Sequence, residues 1–169
     1  MRRVRVIPCL LLKGRGLVKT RAFAEERYLG DALNAIRIFN EKEADELMVL
    51  DVEASARDRA PDFRLLRDIA SECFMPLTYG GGIRSLGDME AVFAAGCEKI
   101  ALGSAALETP DLVRQGAAVH GSQSISVVID AKKTRNGSYQ ATSLRGQKTW
   151  RKDPAEFAAE MALAAETVR

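Results

Sequence analysis

Short apolar runs alternate along this chain with longer stretches in which apolar residues recur every three or four positions. The first pattern marks buried strands and the second amphipathic helices. Val4 to Leu12 is predicted as a strand from its β-branched and apolar content. Lys13-Gly14-Arg15-Gly16 turns the chain, Leu17-Val18-Lys19 forms a short extension, and a polar loop runs through Arg27. Asp31 can cap a helix to about Asn40 that keeps Ala32, Ala35, Ile36 and Phe39 on one face. Further strands are expected at Glu46–Asp51, Phe74–Leu77, Lys99–Leu102 and Ser124–Asp130. Helices are expected over Asp62–Cys73 and Ser85–Ala95, from Pro110 to about Val119, and from Asp153-Pro154 onward. Arg135-Asn136-Gly137-Ser138 is a hairpin signal, and Tyr139 to Trp150 reads as a small β excursion before the last helix.

Strict alternation of strand and helix predicts an α/β fold with a parallel sheet of about five βα units and right-handed crossovers. Such a sheet is covered on both faces or closed into a barrel. In either case the strand ends lie on one rim, where ligands bind. Those ends carry Lys13, Asp51, the Gly80-Gly81-Gly82 turn, Gly103-Ser104 and Asp130. No Gly-x-Gly-x-x-Gly follows the first strand, which weighs against a dinucleotide fold.

The glycine triple is the most telling stretch. Consecutive glycines at a strand-to-helix junction supply positive φ or close approach of backbone to a ligand. Their N–H groups ahead of a helix suit a phosphate or another anion. A tight turn with no ligand is the plain alternative.

Composition narrows the classes. The 169 residues suit one domain, 47% hydrophobic and 28% charged, with net charge +2 and scattered Lys and Arg. That balance argues against a nucleic-acid partner, and the absence of a long apolar run argues against a membrane partner. The start is too short and too interrupted for a secretory signal, so a cytoplasmic location is expected. Cys9, Cys73 and Cys97 lack metal-ligand spacing and are expected as buried free thiols; no metal or other cofactor is indicated. The lone His120 is read as structural.

Val6-Ile7-Pro8-Cys9-Leu10 with Lys13 and Leu17-Val18-Lys19 resembles the opening of HisF, the cyclase subunit of imidazole glycerol phosphate synthase. The resemblance continues through Ala44-Asp45-Glu46-Leu47 with Leu50-Asp51, through Pro76-Leu77-Thr78 with Gly80-Gly81-Gly82-Ile83-Arg84, and through Gly121-Ser122-Gln123 with Val127 to Lys132. Each piece alone recurs in other phosphate-binding barrels; together and in order they cover essentially the whole chain. The resemblance implies a (βα)8, or TIM, barrel of the ribulose-phosphate-binding type. It also implies a histidine-biosynthesis lyase that uses ammonia from a HisH-like glutaminase to cleave and cyclise a phosphoribulosyl formimino nucleotide. The run from Leu10 to Thr20, with Ile38 to Glu43, resembles a divergent HisF branch found in surface-polysaccharide gene clusters.

The family works with two aspartates, at the ends of its first and fifth strands. By resemblance the second is Asp130, whereas the first falls on Leu11. A leucine transfers no proton, and general acid–base catalysis contributes roughly 10²–10⁴-fold, so impaired catalysis is expected. The resemblance also implies substrate or phosphate contacts at Lys19, Asp51, Gly81, Gly82, Gly103 and Ser104, and an ammonia gate at Arg5, Glu46 and Lys99. An ordinary salt-bridge cluster is the plain alternative for that last trio. A complete barrel takes about 250 residues. The expectation is therefore a partial barrel, 1–169 as a single domain, with a first half-barrel over about 1–120 and a fifth unit over 121–169. Exposed edges on strands one and five, with Ile7, Cys9, Val49 and Val128 as inward candidates, predict a homo-oligomer, a dimer or higher. Non-catalytic phosphate binding, ammonia handling and a structural remnant are the alternative functions.

Overall fold

The computed structural model describes residues 4–166. Ten strands and six helices are described: β1 Cys9–Lys13, β2 Gly16–Arg21, β3 Ala24–Asp31, α1 Ala32–Glu41, β4 Leu47–Asp51, α2 Phe63–Glu72, β5 Leu77–Gly80 and α3 Leu86–Ala94 come first. They are followed by β6 Lys99–Leu102, α4 Ser104–Glu108, α5 Asp111–His120, β7 Ile125–Val127, β8 Asp130–Lys133, β9 Tyr139–Ser143, β10 Lys148–Thr149 and α6 Pro154–Glu166. The main sheet has seven strands in the order β3-β2-β1-β4-β5-β6-β7 and is open. Five of them, β1, β4, β5, β6 and β7, run parallel, as the βα alternation predicts. A second sheet of three strands, β10-β9-β8, follows β7.

Carboxylates and a hydroxyl cap the starts of α1, α2 and α3. Asp31 Oδ1 accepts from the N–H of Leu33 at 2.9 Å, and Asp62 Oδ1 accepts from that of Leu65 at 3.0 Å. Ser85 and Asp88 form a reciprocal capping box. Each cap contributes about 1 kcal/mol. The helices cover one face of the sheet, where Ile36, Leu66, Ile69, Met89, Val92 and Val113 meet Leu47, Val49, Leu77, Ile100 and Leu102. Phe157 of α6 is fully buried and carries the last helix onto this core.

Several elements depart from the sequence reading. The first strand begins at Cys9: Val4 and Val6 are exposed, and the Val6 N–H donates to the Asp45 carboxylate at 2.7 Å instead of to a neighbouring strand. The supposed polar loop through Arg27 is the antiparallel hairpin β2–β3, so the free edge belongs to β3 rather than to the first strand. The third strand is Leu77–Gly80, not Phe74–Leu77; Phe74 is 86% exposed. Val49 faces the helices, and Met48 and Leu50 alternate to the other side. Cys97 is buried and its thiol is pushed up to about 12 by burial, whereas Cys9 is exposed. Among the described residues no helix is long and apolar enough to cross a membrane, and no group of three or more His, Cys, Asp or Glu is placed to hold a metal.

Candidate functional site

Parallel pairing sets Leu11, Leu50, Gly80 and Ala101 side by side across four strands. Register partners in neighbouring strands point to the same side, here the one opposite the helices. This row, with Val128, floors a cavity of about 300 Å³ at the carboxyl ends of the strands. Gly80 makes the room: a Cβ there would lie 2.7 Å from both the Ala101 carbonyl oxygen and Leu50 Cδ2.

Of the residues singled out from sequence, Leu11, Asp51, Gly81, Gly103, Ser104 and Asp130 line this one cavity. Gly81 has φ +117°, and a Cβ would stand 2.5 Å from the Asp51 carbonyl oxygen, so the turn is closed to any side chain. Asp51 is buried; Oδ1 accepts from the N–H groups of Glu53 at 2.9 Å and Ala54 at 3.0 Å, and Oδ2 lies 3.6 Å from Arg59 Nη2. Much of that carboxylate therefore serves to shape its own loop. The Asp130 carboxylate has no hydrogen-bond or ion-pair partner among the described residues, and burial raises its pKa above the ordinary range. It is the spare carboxyl of the cavity.

Two of the expected contacts lie elsewhere. Gly82 (φ +74°) is outside the lining, and its N–H is aimed at Ser55 Oγ, 3.3 Å away. Lys19 is exposed on β2 and borders an adjacent groove with Cys9, Leu17 and Leu29. Leu11 and Thr20 line both spaces.

The remaining wall was not legible from motifs. It comes from Thr20 and Phe23 on the β2–β3 hairpin, Ser55 after β4, and Leu144 and Arg145 between β9 and β10. Ala22, Phe23, Leu144 and Arg145 all take positive φ without being glycine, which holds the two turn tips in tight curvature. An ionic chain links them: Arg145 pairs with Glu26, Glu26 with Lys13, Lys13 with Glu53 at 3.5 Å, and Glu53 with Arg57 at 2.9 Å. Hydrogen bonds from Lys13 and Arg145 hold the Glu26 carboxyl below its ordinary value.

At the opposite end of the strands, Glu46 precedes β4 and Lys99 opens β6. Buried Glu46 pairs with Arg5 through Oε1 and with Lys99 through Oε2 at 2.6 Å. The structure thus joins the three charged residues that the sequence singled out there. His120 stacks on Phe93 with ring centroids 4.5 Å apart.

A family model described as "Histidine biosynthesis protein" matches residues 5–167. A Pseudomonas aeruginosa relative, named as an imidazole glycerol phosphate synthase subunit (hisF2), is 49% identical over 94% of this chain and 63% of its own length. A Vibrio vulnificus relative named hisF3 is 48% identical over 93% of this chain and 61% of its own length. The imidazole glycerol phosphate synthase subunit HisF of Dictyoglomus thermophilum is 39% identical over 86% of this chain and 54% of its own length. The chain spans between half and two-thirds of the length of these relatives.

Proposed function

This chain belongs to the histidine biosynthesis protein family, in its HisF group, and we propose that it binds a phosphorylated small molecule without catalysing the cyclisation. One observation carries the reading: a leucine, Leu11, stands on the floor of the cavity that also holds the unpartnered Asp130. Acid–base work on two sides of one substrate needs two groups that hold and release protons. Asp130 can supply one, and Leu11 can supply none. Gly81, Gly103 and Ser104 border the same space, and their backbone and hydroxyl groups suit phosphoryl oxygens.

The test is to offer the phosphoribulosyl formimino nucleotide with an ammonium salt and to follow both binding and release of the carboxamide ribotide. Saturable binding without turnover is expected. Ammonium-dependent turnover would overturn the impairment, and no binding would overturn the ligand class.

The Arg5–Glu46–Lys99 cluster favours a second role, the handling of ammonia from a HisH-like glutaminase docked at the strand-start end. If that holds, Glu46→Ala alters the glutaminase-dependent signal; an unchanged signal makes the cluster an ordinary salt bridge.

A further inference from the structure

We propose that Arg145 is the phosphate-recognising residue of the cavity, exchanging its bond to Glu26 for the oxygens of a phosphoryl group. This rests on the phosphate-binding reading above and adds the residue that supplies the positive charge. Arg145 is the one cationic side chain among the described residues that line the cavity, whose other ionisable lining groups are the carboxylates Asp51 and Asp130. A phosphate monoester carries nearly two negative charges near pH 7. Beyond the neutral donors of the glycine backbone and Ser104, the charged groups it would meet there without Arg145 are the two carboxylates, with Asp51 partly offset by Arg59.

The guanidinium is only partly committed. Its contacts to the Glu26 carboxylate and to the Phe23 carbonyl oxygen, at 3.4 Å, both run through Nη2. Nε and Nη1 have no partner among the described residues. That leaves donors of a planar fork, the geometry that takes phosphate or carboxylate bidentately. Glu26 is also held by Lys13, so release of Arg145 leaves no bare carboxylate behind.

The turn that carries Arg145 is built toward the phosphate end. Leu144 (φ +52°) and Arg145 (φ +60°) are consecutive left-handed residues, a conformation unfavourable for any non-glycine residue that persists only where the surroundings hold it. The hold includes the Leu144 N–H, which donates to Ser104 Oγ at 3.3 Å. Ser104 and the base of Arg145 are thereby fixed to one another. A tetrahedral oxyanion suits this non-planar set of hydroxyl, glycine backbone and guanidinium better than a planar carboxylate does.

Calorimetric titration of the full chain with inorganic phosphate and with ribose 5-phosphate, using plain ribose as control, tests the assignment. Arg145→Met is expected to weaken both phosphate ligands by about tenfold to a hundredfold. Glu26→Gln is expected to tighten them by several-fold, because a competitor for the fork is gone. A latch that merely holds the two turns together predicts the same direction for both variants, and that result overturns the proposal. Arg145→Lys, which keeps the charge and loses the fork, gives an intermediate affinity and serves if Arg145→Met fails to melt cooperatively. Unchanged affinity in both Arg145 variants, with wild-type binding intact, overturns this assignment alone. Absence of phosphate binding in the wild type overturns the assignment and the phosphate reading together.

Discussion

Replacing Gly81 by alanine tests the turn on which the cavity depends. Two costs add. The backbone sits at φ +117°, where an L side chain carries about 1–3 kcal/mol of strain. The new Cβ would then lie 2.5 Å from the Asp51 carbonyl oxygen and 3.0 Å from Asp51 Cβ. Asp51 ends β4 and is held by its bonds to the Glu53 and Ala54 N–H groups, so it yields only by moving the loop, an overpacking cost of about 1–3 kcal/mol. The sum is about 2–6 kcal/mol, or a melting temperature lower by roughly 4–24 °C for a chain of this size. Gly14→Ala is the control: φ is +58°, and nothing lies within 4 Å of the added Cβ. It should cost only about 1–2 kcal/mol, the left-handed penalty alone. Urea denaturation followed by circular dichroism measures both variants against wild type. If Gly81→Ala is no more destabilising than Gly14→Ala, the close packing of the turn on Asp51 is wrong.

Three other outcomes follow from the same structure. Asp130 has a raised native pKa, so it binds more protons folded than unfolded, and its burial lowers stability as pH rises from about 3.9 through the native value. Asp130→Asn should therefore melt above wild type at pH 7, with the gain shrinking as pH falls through the carboxylate range; a loss at pH 7 contradicts the spare carboxyl. Glu46→Ala leaves Lys99 without its ion-pair partner and should cost about 1–2 kcal/mol, less than a fully buried pair because Arg5 is largely exposed, as chemical denaturation would show. The open sheet edges predict association, so light scattering on a sizing column should give a discrete dimer or larger species, and a folded monomer contradicts this.

Much of the architecture is legible in the sequence because five apolar runs and their capped helices repeat the same signal. The exceptions are physical. Glycine is a poor strand former, so Gly80 reads as turn in the sequence, yet the sheet needs it there to clear Ala101 and Leu50. The continuous run Leu47-Met48-Val49-Leu50 shows no alternation, and only pairing with β1 and β5 decides that Leu50 rather than Val49 faces the cavity. The β2–β3 hairpin turns through Ala22 and Phe23, without glycine or asparagine to announce it. The same holds for Leu144-Arg145, so no turn signal in the sequence marks Arg145 as part of the lining, whereas the glycines, Ser104, Asp51 and Asp130 stand at strand ends. The family resemblance implies contacts at Gly82 and Lys19 as well; Gly82 lies outside this lining and Lys19 borders the adjacent groove, because neighbours along the chain need not face the same space.

The most direct measurement is a backbone-amide NMR titration of the wild-type chain with ribose 5-phosphate. The account predicts saturable shifts that concentrate at Gly81, Gly103, Ser104 and the Leu144–Arg145 turn. Saturable shifts confined to other surfaces, or none at all, would contradict it.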